Sequence, residues 1–197
     1  MLNIFRYYSI ALHGIRKHRV VPDIIDIIPS DLAEVVYPND VRVEIATELK
    51  PIQVKEPPII RWAAHPNLFY TISLTDPDAP SNRNPILREW HHWLVGNIPG
   101  DAIEKGETLT EYIGAGPPRG SGLHRYVFLV FQQKDRIQFE EQRLTNDSVK
   151  NRGKFSIRKF AQKYNLGNPI AANFFHAQWD DYVPILYTQL KMAADSP

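Results

Sequence analysis

At 197 residues with 43% hydrophobic content, the chain is long enough to bury one sizeable core, and a single domain is the default. A net charge of +1, from 23 bases and 22 acids, gives no bulk field for nucleic acid, and the absence of cysteine excludes disulfides, thiolate metal sites and a cysteine nucleophile. No apolar run approaches the roughly 18 residues of a membrane-spanning helix, so a soluble body without a transmembrane segment is expected.

The first 21 residues carry Arg6, Arg16, Lys17 and Arg19 and no acid. At helical spacing Ile4, Tyr8, Leu12 and Ile15 line one side, with Arg6, Ser9, His13, Arg16 and Lys17 on the other. Residues 1–21 therefore read as a basic amphipathic N-terminal extension, and 22–197 as the folded domain. The expectation is an extension retained on a cytoplasmic protein; an Arg-rich, acid-poor mitochondrial targeting segment is the alternative.

Residues 22–54 mix short apolar runs with Pro29, Pro38 and Pro51, and the period-two alternation from Val41 to Ile45 predicts a strand. Strands follow at 59–62 and 69–75, on either side of a turn at His65-Pro-Asn67. Asp76-Pro-Asp-Ala-Pro-Ser81 stops the second. The run 89–95 predicts a further strand, with Trp90, His92 and Leu94 on one face and His91, Trp93 and Val95 on the other. Residues 114–122 hold four glycines and two prolines in nine positions and must be a loop. Leu123 to Phe131 is apolar on both faces, as a strand in the middle of a layered structure would be. Ser156 caps a helix with the inner stripe Ile157, Phe160, Ala161 and Tyr164, ended by Gly167. A last helix begins near Pro184, behind Asp180 and Asp181, with the stripe Val183, Leu186, Tyr187 and Leu190. The fold class is mainly β, a sandwich or large antiparallel sheet with a few helices toward the C-terminal side.

Four places could carry chemistry. Asp76 and Asp78 emerge at a strand end in a turn held by Pro77 and Pro80, although Asp-Pro is also a routine turn. His92 lies on a strand that reads as buried, where a histidine is as readily a core residue as a ligand. His124 opens the most hydrophobic strand, directly after a glycine loop whose backbone N–H groups can come close to a ligand, and Tyr126 shares its face. Tyr187 projects from the last helix as either rim or core. A zinc hydrolase lacks an H-E-x-x-H helix, and a serine hydrolase lacks G-x-S-x-G, since Ser121 stands in Gly-Ser-Gly. No catalytic residue, metal or cofactor is expected.

The order of these motifs closely resembles the phosphatidylethanolamine-binding protein family, which includes the Raf kinase inhibitor proteins and the plant florigen-type proteins. The resemblance rests on Asp-Pro-Asp-Ala-Pro-Ser at 76–81, Glu-Trp-His-His-Trp at 89–93, Gly-Ala-Gly-Pro-Pro-Arg-Gly-Ser-Gly-Leu-His-Arg-Tyr-Val-Phe at 114–128 and Ala-Gln-Trp-Asp-Asp-Tyr-Val-Pro at 177–184. It covers roughly Pro22 to Leu190 and leaves residues 1–21 without a counterpart. It implies a large antiparallel sheet with a smaller second sheet, peripheral helices including a C-terminal one, and a pocket for phosphate-like anions. The pocket residues it implies are Asp76, Asp78, Pro80, Trp90, His92, Gly116, Pro117, His124, Tyr126 and Tyr187.

The function it implies is non-enzymatic binding of a phosphorylated ligand or a phospholipid headgroup such as phosphatidylethanolamine. The alternative is a signalling modulator that docks and inhibits a kinase or serine protease. Because a carboxylate repels an anion, Asp76 is expected to hold a pocket imidazole in its protonated form, and Asp78 to meet an ammonium group or share a proton with the phosphate.

Overall fold

The sequence's alternating and doubly apolar runs become nine strands in this computed structural model, which describes residues 13–191. In chain order they are β1 (Asp31–Leu32), β2 (Glu34–Tyr37), β3 (Val41–Arg42), β4 (Ile59–Arg61), β5 (Phe69–Asp76), β6 (Trp90–Pro99), β7 (Glu107–Thr110), β8 (His124–Gln133) and β9 (Ala171–Ala177). A helical turn α1 (Val20–Asp23) precedes them, α2 (Ile157–Lys163) lies between β8 and β9, and α3 (Val183–Gln189) follows β9. Six strands form one sheet in the order β1-β9-β8-β5-β6-β7, antiparallel except where β1 meets β9. The order β3-β2-β4 makes a smaller antiparallel sheet. Among the described residues no helix is long and apolar enough to cross a membrane.

β8 is apolar on both faces because both faces of the large sheet are covered. Toward the small sheet, Val35, Tyr37 and Ile60 pack with Tyr70, Leu74, Tyr126, Phe128 and Phe175. On the opposite face, Ile15, Val20 and Ile24 from the N-terminal segment and Ile157 and Phe160 from α2 cover Leu94, Val127, Leu129 and Phe174. Burying one such side chain stabilises by about 1.5–3 kcal/mol, so neither cover is dispensable. The division at residue 21 therefore coincides with no break in packing. Residues 13–17 are helical and Ile15 is fully buried, as the apolar stripe requires; Ile4, Tyr8 and Leu12 lie outside the described residues.

Ser156 does cap α2, its hydroxyl accepting from the Lys159 N–H, and Gly167 takes a left-handed φ of 73° just beyond. α3 starts where Pro184 allows it, and Val183, Leu186, Tyr187 and Leu190 are buried as its stripe predicts. Two expectations change. The strand predicted over 41–45 ends at Arg42, because the chain leaves the small sheet there: the Ala46 and Leu49 N–H groups donate to Phe174 and His176 carbonyls beside β9. The strict alternation of 89–95 fails at a β-bulge, where Thr75 pairs with His91 and Leu74 with Trp93, leaving His92 as the extra residue. His92 and Trp93 thus share the small-sheet side, where Trp93 packs and His92 meets Tyr126, while Leu94 crosses to the other cluster.

Candidate functional site

The ends of three neighbouring strands meet at one end of the large sheet. Asp76 finishes β5 directly opposite Trp90, the first residue of β6, and His124 opens β8 on the other flank of β5. The bulge turns His92 to the same side, its ring 4.4 Å from Trp90 and 5.1 Å from Tyr126 between centroids. The 114–122 loop and α3 supply the remaining walls. Gly114 must be a glycine, since a Cβ there would come within 2.6 Å of the Val54 carbonyl oxygen. Together these elements line a small, open-mouthed hollow of about 70 Å³. Its walls are largely apolar, through Leu87, Ile113, Leu186 and Leu190.

The polar groups inside are committed to defined partners. Asp76 is held from two sides: its Oδ1 accepts from the Asp78 backbone N–H at 2.7 Å, and its Oδ2 lies 2.7 Å from His124 Nδ1. His124 Nε2 lies 2.9 Å from Ser121 Oγ, and the Ser121 hydroxyl donates to the Pro118 carbonyl at 2.7 Å. A hydroxyl has one proton, so Ser121 can only accept from His124, and the ring carries hydrogen on Nε2 as well as facing a carboxylate through Nδ1. The remaining proton of the pair lies in the 2.7 Å contact between Nδ1 and Asp76 Oδ2. Burial by itself would lower the His124 pKa, but Asp76, by charge and hydrogen bond, and then the charge of Asp78 outweigh it and hold it above the usual value. Burial pushes the Asp76 carboxyl up, against the pull of the His124 charge. The pair keeps the ring's proton to higher pH than a free imidazole does.

His92 behaves in the opposite way. Its Nδ1 lies 2.8 Å from the Ile113 carbonyl, which can only accept, so that nitrogen carries the hydrogen and Nε2 keeps a lone pair. Burial, with the charges of Arg152 and His124 behind it, lowers its pKa to about 3. The pocket thus combines a ring paired with a carboxyl group, whose pKa is held up, with a neutral, accepting one. Tyr187, its phenol pushed up to about 12 by burial, donates to the Gly116 carbonyl at 3.1 Å and ties α3 to the loop.

Comparison with known proteins places this arrangement. The family model described as phosphatidylethanolamine-binding protein matches residues 42–175 of the 197. The chain belongs to the phosphatidylethanolamine-binding protein family. It is 40% identical over 175 residues, 89% of this chain and 83% of the relative, to a Drosophila melanogaster protein named "Putative odorant-binding protein A5". The solution structure of CG7054 matches with a TM-score of 0.72 and 42% identity, over 87% of this chain and 97% of that one. A carboxypeptidase Y inhibitor, solved in complex with its cognate proteinase, shares the fold at 24% identity and a TM-score of 0.77, covering 91% and 100% of the two chains.

Nine of the ten residues expected from the resemblance to this family line the hollow: Asp76, Pro80, Trp90, His92, Gly116, Pro117, His124, Tyr126 and Tyr187. Asp78 does not. Its Oδ1 accepts from Arg125 Nη2 at 2.7 Å, and its Oδ2 from Arg125 Nε and the Arg125 backbone N–H, both at 2.9 Å. A carboxylate so engaged is not free to meet an ammonium group or share a proton with phosphate, so the expected role of Asp78 is withdrawn. The sequence reading also missed Arg152, whose guanidinium is fully buried 5.5 Å from the Trp90 ring and donates to the His91, His92, Glu111 and Thr145 carbonyls. Its setting, Lys-Asn-Arg-Gly-Lys, reads as a solvated loop, and no local pattern marks it. Ser121, the partner of His124 Nε2, stands in no nucleophile motif; its position three residues before His124 is the signal that points to it.

Proposed function

We propose that the protein is a non-enzymatic binder of a small phosphate-bearing group, taken up in the pocket between His124 and His92. The observation that carries this reading is the His124 ring, fully buried yet lining an open hollow, paired with the Asp76 carboxyl and with its outer nitrogen resting on an exchangeable serine hydroxyl. A phosphoryl oxygen can replace Ser121 as the acceptor from Nε2, forming a charge-assisted hydrogen bond. The His92 Nε2 lone pair then requires a donor from the same ligand, which a monoprotonated phosphate or the ammonium of an ethanolamine headgroup supplies. Nothing in this arrangement needs a nucleophile.

The test is calorimetric titration with phosphorylethanolamine between pH 6 and 8. Affinity rises as pH falls through the raised His124 pKa, and His124→Ala abolishes binding while leaving the protein folded. Affinity independent of pH, or unchanged in His124→Ala, contradicts the reading. The apolar walls of the pocket and the 40% identical relative named as an odorant-binding protein favour a second reading, in which a small apolar molecule fills the hollow. Displacement of a fluorescent apolar probe by uncharged volatiles, but not by phosphorylethanolamine, would support that instead. Docking to a protease has the fold likeness to the carboxypeptidase Y inhibitor behind it, and titration of that proteinase with this protein tests it.

A further inference from the structure

The acidic turn faces two ways. Neighbouring residues of a strand point to opposite sides, so His124 enters the pocket while Arg125 turns away from it. The turn matches this with Asp76 on His124 and Asp78 on Arg125, and the Asp78 N–H donation to Asp76 Oδ1 locks the two carboxylates together. What Arg125 does on its far side is not required by the pocket. Nη1 donates to the His18 and Arg19 carbonyls, both at 3.1 Å, and Nη2 donates to Asp23 Oδ2 at 2.9 Å as well as to Asp78. With Nε on Asp78, all five guanidinium N–H groups are used. Arg19 adopts a left-handed φ of 58°, which bends the chain so that two successive carbonyls reach one nitrogen. Asp23 is held in turn by Arg88 at 2.7 Å, and Val20 and Ile24 beside it are buried in the core.

A continuous polar chain therefore runs from residues 18–23 through Arg125, Asp78 and Asp76 to His124. We propose that this N-terminal segment is a positioning strap for the ligand pocket, with Asp23 and Arg125 as positioning residues that act on the Asp76–His124 pair without touching the ligand. The proposal rests on the phosphoryl-binding reading and adds a part of the chain that lies outside the pocket. Loosening the strap frees Arg125, lets Asp78 and the turn shift, and weakens the hold of Asp76 on His124. By linkage, ligand in the pocket must tighten the strap by the same factor.

The experiment measures phosphorylethanolamine affinity at pH 6.5 for the full chain and for Asp23→Asn, Asp23→Glu and Arg125→Lys. Backbone amide exchange is followed with and without the ligand. Ile24 and Ile25 are the reporters, since their N–H groups donate to the Val20 carbonyl at 2.9 and 3.2 Å. Asp23→Asn weakens binding about fivefold, the low end of typical coupling between sites, Asp23→Glu restores most of it, and Arg125→Lys weakens it further. In the wild type the ligand slows exchange at Ile24 and Ile25, and in Asp23→Asn it no longer does. If Arg125→Lys fails to fold, Asp23→Asn decides alone. Wild-type affinity in Asp23→Asn, or slowed exchange around the pocket with none at Ile24 and Ile25, overturns the strap and leaves the binding reading standing. Failure of the wild type itself to bind removes the binding reading first, and the strap as a pocket-positioning device with it.

Discussion

The large sheet buries polar groups on both of its faces and treats them differently. On the pocket side Asp76, His92 and His124 all have partners, and Asp76 and His124 are partners of each other. On the side covered by α2, Ser73 Oγ and His91 Nε2 have no hydrogen-bond partner, and His91 lies stacked on Phe155 at 3.8 Å between ring centroids. Burial there drives the groups toward neutrality: Glu89 rises to about 7 and His91 falls well below its ordinary value. A satisfied charge keeps a fixed geometry ready for a ligand, whereas an unsatisfied one makes folding sensitive to pH. Binding and stability should therefore be separable by mutation.

The largest effect should come from the packing that supports the pocket side. Phe128→Ala, between the two sheets, is expected to cost about 3–5 kcal/mol in urea unfolding. Its effect on phosphorylethanolamine affinity should be small in whatever remains folded.

The next concerns the α2 side. Glu89 has a folded pKa raised from 4.5 to about 7, so the protonated acid favours the folded state: its contribution is fully present below pH 4.5 and is lost as pH rises through 7. The difference in stability between wild type and Glu89→Gln should thus change by about 3 kcal/mol across that window, wild type losing ground as pH rises. The substituted amide still offers an oxygen to the Ile157 N–H, as Glu89 Oε1 does. A constant difference would show that Glu89 is not held neutral.

On the pocket side, Asp76→Asn removes the charge that raises His124. Affinity for phosphorylethanolamine at pH 7 should fall about tenfold, equivalent to roughly 1.4 kcal/mol, and its pH dependence should move to lower pH. The smallest effect belongs to Ser73→Ala, which deletes a buried hydroxyl that bonds to nothing. It should leave affinity unchanged and shift stability by less than about 1 kcal/mol, in the stabilising direction. A clear loss would mean that Ser73 has a partner after all.

Much of this arrangement was legible beforehand, for reasons that differ by element. β5, β6 and β8 announce themselves by strong apolar runs between proline and glycine breaks, and α3 by its proline start and its stripe. β9 does not: Ala-Ala-Asn-Phe-Phe-His-Ala has no clean alternation, and it is a strand because β8 and the loops beside it pair with it. Asn173 sits at its centre, its side chain donating to the Ala33 and Val43 carbonyls, contacts that lie 130 residues or more away in sequence. The bulge at His92 depends equally on its neighbour, since only the register against β5 shows the extra residue. Pocket membership could be inferred from motif order. The division of labour within the acidic turn could not, because Asp76 and Asp78 look equivalent until His124 and Arg125 are seen on opposite faces.

The central claim is that His124 is a cation held for an anionic ligand. Imidazole titration by NMR on histidine-labelled protein, with and without phosphorylethanolamine, tests it most directly. The prediction is a His124 pKa above 6.5 that rises further on binding, beside a His92 that stays neutral throughout. A His124 ring that titrates at or below 6.5 and does not respond to the ligand would contradict it.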